Sequence, residues 1–162
     1  MPVAASEEYP LVPVEASDEE WCAWANTLPF ATGFDVRCLR LTDGEGEFVA
    51  RSSPIPVNPN GAVHGGVVAA AVDHALGVTC VRAVDAGDGI ATASLTVDYY
   101  QPCDLPMGLS VSVRRSGRTV VFAQVRVTGS DGVLRAEASG VMSVRHSREA
   151  RRALEYSRGP NR

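Results

Sequence analysis

The sequence predicts an α+β domain in which one strongly curved antiparallel sheet wraps around a single long central helix. The first reason is that residues 65–84 are almost continuously apolar, so the helix they form has no polar face to turn toward solvent. The second reason is that strand-like runs flank this helix on both sides. These runs lie at residues 34–42, 47–51, 90–100, 109–115, 119–128 and 133–144. A single sheet covers a helix that is apolar on all sides only if the sheet bends around it.

A short helix is predicted at the start of the domain. Ser17 followed by Glu20 matches a capping box, in which each side chain bonds to the backbone of the other residue. The helix that begins there places Trp21, Trp24 and Ala25 on one face, and Gly33 is its predicted end.

Turn signals separate the predicted strands. Residues 43–46, Asp-Gly-Glu-Gly, predict a turn between the first two strands, and the prolines of residues 52–61 predict a loop. Ser-Gly at 116–117 and Asp-Gly at 131–132 separate the later strands. An Asp-Gly pair between two runs of strand-forming residues is a typical hairpin signal.

The length and the net charge limit the possible architectures and partners. The chain has 162 residues, which suffices for one domain with a sizeable core. We expect that domain at residues 17–145, between a flexible tail at 1–16 and an Arg-rich tail at 146–162. The net charge of −4 argues against a nucleic-acid partner, although all 15 basic residues are Arg, which suits phosphate recognition.

The cysteines and the N-terminus indicate a cytoplasmic protein. Cys22, Cys38, Cys80 and Cys103 show no spacing typical of a metal site, and the His residues are scattered, so we expect no metal and no other cofactor. The first residues lack the basic and apolar regions of a signal peptide, so we expect reduced thiols. No apolar run predicts a membrane span, and no membrane partner is expected.

The most informative stretch opens the central helix, and it reads Asn-Pro-Asn-Gly-Ala-Val-His-Gly-Gly over residues 58–66. Two glycines at a helix start let a substrate approach free backbone N–H groups at the positive end of the helix dipole. Asp73 then interrupts the apolar helix, where a carboxylate is usually paired, neutralised or functional. An oxyanion-binding helix start and a carboxylate on one helix together indicate acyl-transfer chemistry.

The layout and this motif resemble those of the hotdog-fold acyl-CoA thioesterases of the phenylacetate-pathway, or PaaI-like, type. The resemblance covers about residues 20–145 and is carried by Asn58-x-x-Gly61-x-x-His64-Gly65-Gly66-x6-Asp73. It implies the hotdog fold, and it implies hydrolysis of an acyl-CoA substrate to a carboxylic acid and free coenzyme A.

The resemblance also implies roles for individual residues. The Gly65 N–H corresponds to the group that polarises the thioester carbonyl, and Asn58 to the residue that helps to place that carbonyl or the water. Asp73 corresponds to the catalytic carboxylate, as either a nucleophile or a general base. Thr92 falls where relatives carry a hydroxyl that holds the attacking water. His64 belongs to the same motif, either as part of the active site or as a support for the loop.

Further matched positions imply contacts with the coenzyme A portion of the substrate, and these are Tyr99, Arg115, Ser116, Gly117, Arg118 and Thr119. The chain also departs from some relatives, which carry a hydroxyl one turn beyond the carboxylate where this chain has Gly77. If that hydroxyl is needed, Thr92 must supply it. Independently of the family, Arg114, Arg115 and Arg118 at one hairpin are suitable counter-charges for phosphates.

The spacing of the motif predicts an assembly. Gly65 and Asp73 are eight residues apart, or about 12 Å along one helix, so they cannot both act on one carbonyl carbon. If they act together, Asp73 must come from a second subunit with its helix antiparallel to the first. The sequence therefore predicts a two-fold homodimer with active sites at the interface. The family's usual assembly agrees, and the choice between a dimer and a dimer of dimers stays open.

Other interpretations stay open as well. Thr92 is also compatible with a strand residue that has no catalytic role, and the Arg hairpin with a solvated turn. His74 lies about 100° around the helix from Asp73, which is compatible with a role in packing or at an interface. The same fold hosts acyl-thioester hydratases or dehydratases, and the chain also fits a non-catalytic acyl-CoA-binding protein. The acyl group, whether aromatic, short or medium, is left undetermined.

Overall fold

The computed structural model describes residues 12–146 of the chain. Of the tails expected at 1–16 and 146–162, residues 1–11 and 147–162 lie outside these described residues. The elements run α1 Asp18–Ala25, α2 Pro29–Gly33, β1 Val36–Thr42, β2 Glu45–Ala50, α3 Gly65–Arg82, β3 Gly89–Tyr99, β4 Met107–Ser116, β5 Val120–Thr128 and β6 Leu134–Arg145.

The strands form one antiparallel sheet of six strands in the order β1-β2-β4-β5-β6-β3. The helix α3 follows β2 in the chain, and the strand after it, β3, is placed at the far edge of the sheet beyond β6. The two edges are therefore β1 and β3. Among the described strands, β3 pairs only with β6.

The core lies between α3 and the inner face of the sheet. Alternation along β5 puts every second side chain inside, as the period of a half-buried strand requires. Two glycines let the sheet approach the helix closely. A Cβ on Gly140 would lie 2.7 Å from Leu76 Cδ1, and a Cβ on Gly46 would collide with Thr79 Oγ1. A side chain at either position would therefore force the facing residue of α3 to move.

The hairpin between β1 and β2 differs in one detail from the predicted turn. Gly46 was expected in the turn at 43–46, but it lies in β2 and pairs with Leu41. The turn itself uses Asp43 and Gly44, and Gly44 has φ +89°, a conformation that favours glycine. Gly46 is needed for helix contact and not for chain reversal.

The start of the domain also differs from the prediction. The capping box is confirmed, since Ser17 Oγ accepts from the Glu20 N–H at 3.2 Å and Glu20 Oε2 accepts from the Ser17 N–H at 2.8 Å. The expected single helix ending at Gly33 is wrong, because two short helices occupy this segment. Asn26 breaks it by bonding the Cys38 backbone with both ends of its amide, at 2.8 and 3.1 Å.

The central helix is buried on most sides but not on all. Its described boundaries, Gly65–Arg82, match the predicted helix closely. The expectation that it is surrounded on every side is wrong for a single chain, because one stripe stays partly open. This open stripe of α3 consists of Gly66, Ala69, Ala70, Asp73 and Gly77. Apart from Asp73 its residues are small, so a second surface is able to approach the helix backbone there.

Candidate active site

A pocket of about 340 Å³ lies at the N-terminal end of α3. It is lined by Asn58 and Gly65 of the motif and by Tyr99 from the end of β3. The structure therefore brings together three of the predicted site residues, although Tyr99 is 34 positions from Gly65 in the chain. We call these three residues with the cavity between them the glycine pocket.

The backbone at the start of α3 leaves one N–H free. His64 is the N-cap of the helix, and its Nδ1 accepts from the Gly66 N–H at 3.0 Å. The Gly65 N–H has no protein acceptor anywhere in the part of the chain that the structure describes. Of the two glycines, Gly65 therefore has the N–H that is available to a ligand, and His64 supports the loop and the helix start.

Asn58 shapes the loop that leads into the helix. Its Oδ1 accepts from the Asn60 N–H at 2.9 Å and from the Ala62 N–H at 3.2 Å. These bonds close a tight turn in which Gly61 has φ +78°. The carbamoyl oxygen of Asn58 is thus occupied by its own loop, which leaves the amide NH2 as the polar group it offers to the pocket.

Tyr99 is anchored to the same helix start. Its hydroxyl donates to the Gly65 carbonyl oxygen at 2.7 Å, while the side chain remains half exposed. Burial raises the pKa of the Tyr99 phenol above its usual value, so the group stays protonated and donates at neutral pH. The hydrogen bond joins the end of β3 to the first residue of α3.

Asp73 and Thr92 form a second cluster. The Thr92 hydroxyl donates to Asp73 Oδ1 at 2.8 Å and joins the middle of α3 to the first part of β3. Asp73 is partly buried and Thr92 is exposed, so both face the open side of a single chain. The second carboxylate oxygen of Asp73 has no hydrogen-bond partner among residues 12–146. We call these two residues the Asp73–Thr92 pair.

His74 is packed rather than exposed. Its ring stacks on Phe30 with 4.9 Å between ring centroids and meets the edge of Phe48 at 6.5 Å. Burial lowers the pKa of His74 to about 4, although the neighbouring Asp73 acts in the opposite direction. His74 is therefore neutral at physiological pH, which agrees with the packing role favoured from the sequence.

The hairpin between β4 and β5 lies at the other end of α3. Ser116 Oγ donates to the carbonyl oxygen of Ala83, the C-cap residue of the helix, at 2.8 Å. The Gly117 N–H donates to the Val120 carbonyl at 2.9 Å and closes the turn. Since α3 has 18 residues, this hairpin is roughly 25 Å from the glycine pocket of the same chain.

The arginines of this hairpin project into solvent. Arg114, Arg115 and Arg118 are exposed, and none has an ion-pair partner within the described residues. Thr119 is exposed beside them, and its carbonyl accepts from the Val144 N–H. The hairpin is thus a cluster of uncompensated positive charge on an acidic chain.

The predicted residues therefore fall into three groups along α3 of one chain. The glycine pocket with His64 lies at its N-terminal end, the Asp73–Thr92 pair lies at its middle, and the Arg hairpin lies at its C-terminal end. Sequence reasoning missed part of the pocket wall, since Gln101 and Cys103 also line the cavity. The Cys103 carbonyl accepts from the Val63 N–H at 2.9 Å and holds the loop beside the strand exit. Only the nearby Pro102, which ends the strand, signalled this region in the sequence.

Two further findings concern other kinds of site. Residues 12–146 contain no cluster of three or more His, Cys, Asp or Glu side chains that could hold a metal ion. Within the same residues, no helix has the length and apolar character needed to cross a membrane.

The segment that carries most of the site residues matches a known protein family. Residues 60–136 match the family model described as the thioesterase superfamily. A protein of Saccharolobus solfataricus, for which an esterase activity has been suggested, is 27% identical over 107 residues. That match covers 65% of this chain and 76% of the archaeal protein.

Solved structures resemble this chain over most of its length. The Escherichia coli PaaI protein from the phenylacetic acid degradation operon has a TM-score of 0.69 at 15% identity, covering 78% of this chain and 95% of its own. A thioesterase from Haemophilus influenzae has a TM-score of 0.72 at 12% identity, covering 83% and 94%. A hypothetical thioesterase protein of Streptococcus pneumoniae, solved with coenzyme A, has a TM-score of 0.63 at 20% identity, covering 70% and 88%. At these identities the similarity establishes the fold.

Proposed function

We propose that this chain is a member of the thioesterase superfamily, whose family model matches residues 60–136, and that on the fold it shares with PaaI it hydrolyses an acyl-CoA thioester to a carboxylic acid and free coenzyme A. The observation that carries the proposal is the free N–H of Gly65 beside a pocket of about 340 Å³. A preorganised N–H donor at a helix start is the kind of group that stabilises the oxyanion formed in acyl transfer.

The proposed active site is shared between two copies of the chain. Gly65 and Asp73 are about 12 Å apart along α3, which is too far for both to act on one carbonyl carbon. The open stripe of α3 exposes Asp73 among small residues, and β3 is a sheet edge with an unpaired side. We infer a two-fold dimer in which the glycine pocket of one chain faces the Asp73–Thr92 pair of the other.

The proposed chemistry of this shared site is hydrolysis by a water molecule that a carboxylate activates. A water molecule held by the Thr92 hydroxyl attacks the thioester carbonyl carbon while Asp73 accepts its proton. The carbonyl oxygen becomes an oxyanion and is stabilised by the Gly65 N–H. The C–S bond then breaks, and the thiolate of coenzyme A takes up the proton. The alternative is direct attack by the Asp73 carboxylate, which gives a mixed anhydride that water hydrolyses.

The Arg hairpin is the proposed contact for the nucleotide end of coenzyme A. In an antiparallel dimer, the C-terminal end of one α3 lies near the N-terminal end of the other. The hairpin of one chain is then brought toward the glycine pocket of its partner, although the two are far apart in a single chain. Three unpaired guanidinium groups suit the phosphates of coenzyme A.

Replacing Arg118 with Ala should raise KM for coenzyme A esters more than it lowers kcat, because the side chain contacts a part of the substrate remote from the reacting carbon. The measurement is steady-state kinetics on one acyl group carried by coenzyme A and by a short pantetheine thiol. The pantetheine ester lacks the nucleotide phosphates, so its KM should not change.

Arg126→Ala is the matched control for that experiment. Arg126 lies on β5, outside the hairpin, in an exposed ion pair with Glu137 at 3.6 Å, and such pairs contribute little. An equal rise in KM for both esters in Arg118→Ala would contradict the assignment.

The activity itself is tested by thiol release from a panel of aromatic and aliphatic acyl-CoA esters. The proposal predicts release from at least one ester, and the preferred acyl group defines the substrate class. Binding of coenzyme A with no release from any ester would indicate a non-catalytic binding protein instead. Turnover of an unsaturated or hydroxylated acyl-CoA without thiol release would indicate a hydratase or dehydratase.

A further inference from the structure

Two of the four cysteines face each other at the opposite edge of the sheet from Thr92. Cys22 lies on α1, Cys38 lies on the edge strand β1, and their sulfur atoms are 3.4 Å apart. Both are free thiols in this structure. A disulfide bond needs about 2.05 Å between its sulfur atoms, so the two would have to close by only about 1.4 Å. We propose that Cys22 and Cys38 form a reversible disulfide when a hydroperoxide oxidises the protein.

Hydrogen bonds from the Asn26 side chain hold the backbone around the two cysteines in place. The Asn26 side chain accepts from the Cys38 N–H at 2.8 Å and donates to the Cys38 carbonyl at 3.1 Å. This clamp fixes the end of α1 against β1 a single turn after Cys22. Trp21 and Ala25 on the same helix are buried against the core. The thiols therefore remain opposed without requiring any rearrangement of the chain.

Arg82, one of whose nitrogen atoms lacks a hydrogen-bond partner among the described residues, lies near the two cysteines. Arg82, at the end of α3, forms an ion pair with Asp18 and lies over the Trp21 ring at 5.4 Å. Its Nη1 is buried and has no hydrogen-bond partner within the described residues. Burial and the contact with Cys22 raise the pKa of the Cys38 thiol, and the Arg82 guanidinium acts against that rise. Because the rise prevails, Cys38 stays a thiol, which suits the residue that reacts second and not the one that meets the peroxide.

The different exposure of the two thiols sets the order of the reaction. Cys22 is partly exposed and Cys38 is buried, so the peroxide meets Cys22 first. The Cys22 thiolate attacks one oxygen of hydrogen peroxide and the O–O bond breaks, which gives a sulfenic acid on Cys22 and a hydroxide that takes up the proton lost by the thiol and leaves as water. The Cys38 sulfur then attacks the Cys22 sulfur, the S–O bond breaks, and the hydroxide leaves as water with the Cys38 proton. Two thiols lose one electron each, and hydrogen peroxide is reduced to two waters.

The other two cysteines provide the contrast. Cys80 is fully buried in α3, and burial raises the pKa of its thiol to about 12. Cys103 is buried beside the glycine pocket, and burial raises the pKa of its thiol as well. No sulfur–sulfur contact of either is found among residues 12–146. Cys22 is the one partly exposed thiol of the four, and its only sulfur contact among the described residues is with Cys38, so oxidation should be selective for the Cys22–Cys38 pair.

The test uses the reduced full-length protein treated with hydrogen peroxide and digested with trypsin under non-reducing conditions. Trypsin cleaves after Arg37 and Arg40, so Cys22 and Cys38 fall on separate peptides that remain joined only by a disulfide. We expect a linked pair two hydrogens lighter than the sum of its peptides, which is lost on treatment with dithiothreitol. The linkage should persist in Cys80→Ala and be absent in Cys22→Ser.

A thermal measurement separates a structural disulfide from an incidental one. Closing a loop of this length should raise Tm by about 6–12 °C at equal protein concentration, and Cys22→Ser should show no such rise. Oxidation of Cys22 to a sulfinic acid with no linked peptide would overturn the proposal. So would a linkage between two chains, or equal linkage of Cys80 or Cys103.

Discussion

Replacing Asp73 with Asn is expected to lower the rate of thioester hydrolysis by at least about 10², with folding and assembly unchanged. The amide keeps an oxygen that accepts from the Thr92 hydroxyl, so the bond between α3 and β3 survives. What the variant loses is the negative charge, and with it the ability to accept a proton from water or to attack the carbonyl. The measurement is kcat on the best ester of the panel, with circular dichroism and sedimentation as checks on fold and assembly.

A matched control for this variant lies in the turn between β1 and β2. Asp43 is an exposed carboxylate outside α3, the β3 edge and the proposed site, so Asp43→Asn should retain full activity. A companion variant, Thr92→Val, removes the hydroxyl while keeping the side-chain shape and should lower kcat less than the loss of the carboxylate does. Full activity in Asp73→Asn would show that Asp73 is not a catalytic residue.

Replacing Gly65 with Pro should lower kcat by about 10²–10³, the usual cost of losing one oxyanion donor. Proline removes the N–H at issue and is well tolerated at the first position of a helix, where its fixed φ suits the chain. The preceding His64 has φ −60° and ψ 131°, which is compatible with a following proline. The variant is thus designed to delete one N–H and leave the helix intact.

Gly65→Ala is the control that keeps the N–H. A Cβ at this position would lie 3.5 Å from the Tyr99 ring, an ordinary van der Waals distance, and Gly65 does not have a positive φ. Alanine should therefore retain most of the activity. If Gly65→Pro and Gly65→Ala were equally active, the N–H would not be the oxyanion donor, and if both were equally inactive, the side-chain volume would explain the loss.

The parts of the fold that could be predicted are those that local chemistry decides. The boundaries of α3 follow from its apolar run and the glycines before it, and the capping box at Ser17 depends on two residues three positions apart. The break between α1 and α2 has a local signal in Pro29, the first residue of α2, because the residue before a proline disfavours helical backbone. The amide clamp from Asn26 to Cys38, 12 residues away, has no such signal. Gly46 was placed in the turn because nothing local indicates that Thr79 packs against it.

In the candidate site, too, some features could be predicted from the sequence and others depend on the fold. The motif pointed to Gly65, Asn58 and Asp73, but the bond between Asp73 and Thr92 depends on β3 crossing to the far edge of the sheet. The distance between the Arg hairpin and the glycine pocket likewise depends on the strand order. A pattern along the chain predicts which residues carry chemistry, whereas the sheet topology decides which of them meet in one chain.

The central claim is that each active site takes Gly65 from one chain and Asp73 from another, and mixing two inactive variants tests it most directly. Asp73→Asn and Gly65→Pro chains are co-expressed in equal amounts with different tags. If the site is shared, each mixed dimer contains one intact site and one doubly altered site. Since random pairing makes half of the dimers mixed, about a quarter of wild-type activity should return. If mixed dimers form and activity stays at the level of the single variants, both residues act within one chain and the shared site is wrong.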